Sequence, residues 1–206
     1  MVAARLGSLN VCGRGAKPAA GPMVCDDRRM DVAPVTPDRW ADLADLFERK
    51  GPRGGTPMPA GCWCMWWRRR TGDRAKNKRA MRALVRGDRE PGLLAYDGGV
   101  AVGWVSLAPR EEFDHLVRSR LYGPQDGDEG VWSIVCFYVD PRAKRQGCAT
   151  ALLEAAVKHA FGRGASAIEA YPHARGDYMG SLAMFTPIGF EPVRAAGTRT
   201  IVRLAR

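Results

Sequence analysis

The chain has 206 residues, 46% apolar and 26% charged, with a formal charge of +10. That is enough chain to bury a core without disulfides or a metal. No apolar run approaches the roughly 18 residues that span a bilayer, so no membrane-spanning helix is expected.

Residues 1–29 differ from the remainder. They are acid-free through Val24, carry Arg5, Arg14 and Lys17, and lack a continuous apolar segment of signal-peptide type. A flexible or mis-started N-terminal extension is expected there, with Met23 or Met30 as alternative starts and a transit peptide as the other reading. The domain then occupies residues 30–206. With no export signal in view, the cysteines (12, 25, 62, 64, 136 and 148) are expected as reduced thiols in a cytoplasmic protein.

Met30 to Val35 alternates weakly and predicts a first strand. Thr36-Pro37-Asp38 has a helix start's residue types, and Trp40, Leu43, Leu46 and Phe47 follow at helical spacing, giving a helix over 37–49. Residues 51–61 read as loop. The Cys/Trp-dense segment 62–67 leads to a second helix over 74–87, with Met81, Leu84 and Val85 inward. Pro91-Gly92 ends it, and a hairpin follows: Leu93–Tyr96, a turn at Asp97-Gly98-Gly99, then Val100–Leu107. Residues 109–130 form a long polar excursion, whose length suggests a functional loop or short helix.

Val131–Val139 is a nearly continuous apolar run and predicts a central strand. A helix over 146–161 follows, its inner face Leu153, Ala156, Val157 and Ala160. Then come a strand over 165–171, a short helix over 178–186, and a final strand pair at 190–193 and 200–204.

The segment FYVDPRAKRQGCAT, residues 137–150, carries the chemistry. A strand ends, the chain turns through Pro141, and a helix begins among Gly147, Cys148 and Ala149. Small residues there leave backbone N–H groups bare at the positive end of the helix dipole. That arrangement accepts a phosphate or pyrophosphate, with Lys144 and Arg145 adding charge. Close packing of a strand–helix turn is the other use of such small residues. The strand before, the helix after and the paired cations favour the anion site.

These residues resemble motif A of the GNAT superfamily N-acetyltransferases, Q/R-x-x-G-x-G/A. Lys144, Gly147 and Ala149 take the three fixed places, preceded by Val139 and Pro141; Lys144 stands where Gln or Arg is usual. The hairpin 92–109, the helix after the motif and SLAMFTPIGF at 181–190 extend the likeness over residues 31–206. GCWCMWWR, at 61–68, is similar to a segment of actinobacterial-type members of unassigned substrate. The resemblance implies an α/β (α+β) acyl-CoA N-acyltransferase fold, with a mixed, mostly antiparallel sheet flanked by helices. It also implies acetyl-CoA as cosubstrate and a small-molecule or peptide amine as acceptor. The backbone of Phe137, Tyr138 and Val139 would meet the pantetheine arm. Lys144, Arg145, Gln146, Gly147, Cys148, Ala149 and Thr150 would surround the pyrophosphate. A homodimer through the final strands is open.

The family's usual proton carriers are absent from their usual places. Val135 and Cys136 stand where many members carry Glu, and Phe185 stands where many carry Tyr, four residues before Gly189-Phe190. Glu169, Tyr171 and Tyr178 are the leading substitutes, with His173, Asp177, Glu111, Glu112 or an ordered water behind them. A non-catalytic acyl-CoA-binding sensor or interaction module therefore stays as the second reading. Residues 61–90 hold ten Lys/Arg against three acids, which makes a nucleic-acid-binding protein the third; no reading motif accompanies the charge, so no nucleic acid is expected. Cys62-x-Cys64 with three histidines falls short of a zinc set, so no metal is expected. Trp63, Trp66 and Trp67 are candidates for an aromatic wall over the acceptor.

Overall fold

The computed structural model describes residues 30–206 apart from 53, 55–57, 59–60, 70, 88 and 126–127. The extension expected over residues 1–29 lies outside the described residues. In chain order the elements are β1 (Asp31–Pro34), α1 (Trp40–Glu48), α2 (Arg74–Arg86), β2 (Gly92–Asp97), β3 (Val100–Pro109) and α3 (Asp114–Val117). They continue with β4 (Val131–Val139), α4 (Cys148–Gly162), β5 (Ala167–Ala170), α5 (Leu182–Phe185), β6 (Glu191–Ala196) and β7 (Arg199–Ala205). The strands form one seven-stranded sheet in the order β1-β2-β3-β4-β5-β7-β6. Its neighbours pair antiparallel except β4 and β5. A parallel pair needs a crossover, and α4 supplies it.

The sheet is covered on both faces. On one side α4 buries Cys148, Leu152, Leu153, Ala156 and Ala160 against Ile134, Phe137 and Ile168, with Val157 partly covered. Gly103 on β3 makes this approach possible: a β-carbon there would lie 2.4 Å from the Cys148 sulfur. On the other side α1 and α2 enclose Leu43, Phe47, Trp63, Met81, Trp104 and Tyr138. The Phe47 ring meets Trp63, Trp104 and Tyr138 edge-on at 5.4–6.1 Å, an arrangement that aromatic quadrupoles favour.

Several boundaries move for local reasons. A 3-10 turn at Pro37–Arg39 precedes α1, and the Thr36 hydroxyl bonds to the Asp38 carboxylate instead of capping the helix. α4 starts at Cys148 because Gly147 is left-handed, at φ +79. The short helix starts at Leu182, since Gly180 at φ +85 turns the chain just before it. The polar excursion contains the 3-10 turn Arg110–Glu112 and α3.

Two features of the sheet prepare a site. In the β3–β4 ladder Ser106 faces Cys136 and Leu107 faces Ile134, which leaves Val135 as a bulge. The bulge turns Val135 and Cys136 to the side away from α4, while Ile134 and Phe137 both face α4. The β4–β5 pairing ends at Ile134 and Ala170, so a gap opens beyond it.

Below the gap a buried charge cluster ties the excursion to β5 and β7. Arg110 donates to Glu169 at 2.9 Å and to Asp128 at 3.0 Å, and Arg203 donates to the same two carboxylates. Arg110 and Glu169 are each 4% exposed. Glu169→Ala would leave Arg110 buried with half its partners gone. A loss of about 3–5 kcal/mol is expected for a broken buried pair, read from urea unfolding. Burial raises the Asp128 carboxyl, but the Gln125 N–H, Arg203 and Arg110 outweigh it and hold it below its ordinary value. Its stabilisation is therefore complete above about pH 4 and lost as pH falls through the lowered folded value. Asp128→Asn is expected to flatten this acid limb of a stability–pH profile.

Candidate functional site

α4 begins on an uncapped turn. Its first internal bond runs from the Ala151 N–H to the Gly147 carbonyl, at 3.0 Å. Helix geometry leaves the Cys148, Ala149 and Thr150 amides without intrahelical acceptors, and no side chain caps them. Arg145 at φ +62 and Gly147 at φ +79 curl the preceding loop around the same spot. A β-carbon on Gly147 would meet nothing within 4 Å. The glycine serves the left-handed turn and leaves the approach from solvent clear.

This turn opens onto a cavity of about 690 Å³ in the gap between β4 and β5. Of the ten residues expected around a cofactor, nine line it: Phe137, Tyr138, Val139, Lys144, Arg145, Gly147, Cys148, Ala149 and Thr150. Gln146 does not; its amide donates to the Arg142 carbonyl, and it lines a separate groove beside Asp45 and Arg49. The Tyr138 ring packs on the opposite face of the sheet against Phe47. Burial pushes the Cys148 thiol up to about 11, which keeps it protonated and inert. Arg175 contributes a third cation from the loop after β5. Sequence reading missed it, because no spacing rule links that loop to α4.

A second cavity, of about 330 Å³, lies on the side that the bulge exposes, with Val135 and Cys136 in its lining. Asp177 and Tyr178 line both cavities and stand between them. The Phe137 N–H donates to the Tyr178 carbonyl at 2.5 Å. The strand N–H that faces the gap is thus already bonded to the loop separating the two spaces.

The structure disperses the candidate proton carriers. Glu169 sits in the buried charge cluster, and Tyr171 is fully buried, its hydroxyl 2.9 Å from Ser133 and 3.2 Å from Glu169. Neither lines a cavity described above. Burial holds the Tyr171 phenol far above its ordinary value. The His173 ring accepts the Arg175 N–H. Glu112 pairs with Arg68 and Arg89, and Glu111 belongs to the same 3-10 turn. Phe185 is a core residue stacked edge-on with Phe137 and Phe190. Of the three leading candidates only Tyr178 reaches the cavities. Burial, with the Cys136 and Cys62 thiols beside it, raises its phenol pKa. For Asp177, burial acts upward, but Arg199 and the Met179 N–H hold the carboxyl below its ordinary range.

The Cys/Trp segment divides between core and cavity. Trp63 is 1% exposed and stacks on Trp40 at 5.8 Å, so it forms no part of a wall. Trp66 and Trp67 line the second cavity. Cys64 is buried and accepts from the Trp104 indole N–H at 2.9 Å. Among the described residues no group of three or more His, Cys, Asp or Glu is placed to hold a metal. The basic stretch is substantially paired: Lys78 and Arg74 with Glu48, Lys76 with Asp73, Arg89 with Glu112, and Arg82 over Trp40.

Comparison with known families matches residues 57–190 to the acetyltransferase (GNAT) family. Comparison with curated proteins finds no match. Among solved structures, the GNAT domain of S. lividans PAT is similar at TM-score 0.55 and 18% identity, over 86% of this chain and 90% of that one. An N-acetyltransferase from Staphylococcus aureus Mu50 follows at 0.54 and 12%, over 85% and 98%. Salmonella typhimurium yncA, solved with acetyl-CoA, matches at 0.51 and 15%, over 86% and 94%. At such identities the likeness concerns the fold.

The uncapped turn predicts anion binding directly. Inorganic pyrophosphate is expected to bind with salt-weakened affinity. Gly147→Ala is expected to reduce that affinity about tenfold, because alanine disfavours the left-handed region by roughly 1–2 kcal/mol and the relaxed free turn must re-enter it to bind. Calorimetric titration checks it; an unchanged affinity would place the anion elsewhere.

Proposed function

The chain belongs to the acetyltransferase (GNAT) family, and we propose on that premise that it moves an acetyl group from acetyl-CoA to a primary amine by direct attack on the thioester. The observation that carries the reading is the uncapped first turn of α4, facing the gap between β4 and β5.

Acetyl-CoA fits the residues present. The amides of 148–150 lack internal acceptors, the space at Gly147 is open, and Lys144, Arg145 and Arg175 surround the cavity. These groups would hold the pyrophosphate, and Phe137, Tyr138 and Val139 would lie along the pantetheine arm. When bound, acetyl-CoA supplies an acetyl group activated as a thioester.

The chain's own residues then divide the proton work. The Tyr178 hydroxyl, with its pKa raised, stays protonated at neutral pH and can donate to a departing thiolate. Asp177 stays ionised against Arg199, which makes it a weak base. The amine therefore arrives neutral or gives its ammonium proton to water, and the proton that its nitrogen sheds on forming the amide restores the Tyr178 phenol through solvent. The Phe137 N–H becomes available to a developing oxyanion only when the Tyr178 carbonyl releases it. The second cavity, on the far side of Tyr178, is the approach for the amine.

Thiol release from acetyl-CoA over a panel of amines tests the reading. Tyr178→Phe is expected to lower kcat about 100-fold and to leave the KM for acetyl-CoA unchanged. If acetyl-CoA binds but no amine gives turnover above hydrolysis, the chain is an acyl-CoA-binding module. The bond that already engages the Phe137 N–H favours that second reading.

A further inference from the structure

We propose that the second cavity selects a compact primary amine with an uncharged, aromatic body, an inference that rests on the transferase reading above and names its acceptor class.

Charge is the first argument. Among the described lining residues the ionisable groups of opposite sign, Asp177 and Arg199, neutralise each other. Arg199 donates from both terminal nitrogens to the two Asp177 oxygens, and also to the Tyr171 carbonyl. The Met179 N–H takes a further place on Asp177. Among the described lining residues a polyamine or aminosugar would find no spare carboxylate, and an acidic acceptor no spare guanidinium. Desolvating such charges without partners is costly.

Shape is the second argument. Trp66, Trp67, Tyr178, Val135, Met58 and Met179 are among the residues that line about 330 Å³, at the small end of ligand sites. That volume suits one ring system on a short chain. Trp67 is fixed edge-on against Tyr122, and Tyr122 against Tyr171. Trp66 is 47% exposed at the same cavity.

Backbone strain is the third. Trp63 and Cys64 are consecutive non-glycine residues in the left-handed region, at φ +44 and +52, costing roughly 1–3 kcal/mol each. The core stacking of Trp63 and the Trp104–Cys64 bond hold them there. This kink sends Trp63 into the core while Cys62, Cys64, Trp66 and Trp67 line the cavity. The strain is spent on a preorganised apolar wall.

The test uses the full chain and two readouts. The first is acetylation of 2-phenylethylamine and tryptamine against spermidine, glucosamine and an acidic tetrapeptide. The second is the rate of alkylation at Cys136, which lines the cavity, followed by mass spectrometry with and without each amine. The arylalkyl amines are expected to show at least tenfold higher kcat/KM and to slow alkylation of this thiol. Trp66→Ala is expected to raise their KM about tenfold without changing the KM for acetyl-CoA. Preference for spermidine, glucosamine or the peptide overturns the proposal and leaves the transferase reading standing. Thiol protection by arylalkyl amines without acetylation supports the cavity's selectivity and removes the transferase reading. The absence of both protection and turnover with arylalkyl amines overturns the proposal.

Discussion

The parting of β4 from β5 is the constraint on which the rest of the molecule depends. Parallel pairing holds the two strands together only as far as Ile134 and Ala170. Past that point the Val135 bulge has already turned β4 over. One irregular residue thereby gives each face of the sheet its own opening, the larger beneath the start of α4 and the smaller beside the tryptophans. A regular ladder in the same place would satisfy the strand amides and leave no room for a ligand.

Next to this gap lies the buried charge cluster. Arg110 and Arg203 hold Glu169 and Asp128 in a closed four-residue arrangement just below the opening. It fastens the long excursion after β3 to β5 and β7, elements far apart in the chain. Buried ion pairs are weak contributors to net stability but costly to break. Here they link the excursion to β5 and β7. Glu169 and Tyr171 are ionisable and close to the site in sequence, yet they serve this support. Of the three leading proton-carrier candidates, Tyr178, in the loop that crosses the gap, is the one that lines the cavities.

Electrostatics divide the two openings by role. The larger gathers Lys144, Arg145, Arg175 and the helix N-terminus, all suited to an anion. The smaller carries one internally neutralised pair among aromatic and apolar groups. On the proposed reading, the contrast would separate a highly charged donor from an uncharged acceptor body. Tyr178, bonded through its carbonyl to the Phe137 N–H, is the partition between them.

The sequence by itself determined what depends on near neighbours in the chain. Hydrophobic periodicity placed each strand and the main helices to within a few residues, because period and burial are local properties. The uncapped turn at the start of α4 was legible for the same reason: Lys144 through Thr150 are consecutive, and glycine chemistry with helix polarity acts within one turn. Boundaries slipped where a left-handed glycine, Gly147 or Gly180, overrode the apolar pattern. Only the tertiary structure decided the fate of the acids, phenols and tryptophans. Glu169 reads alike whether it faces substrate or Arg110, and Trp63 reads alike whether it walls a cavity or stacks on Trp40. Arg175 and Tyr178 reach the site through the packing of a loop against β4. Such contacts join residues some forty positions apart, and no one-dimensional pattern records them.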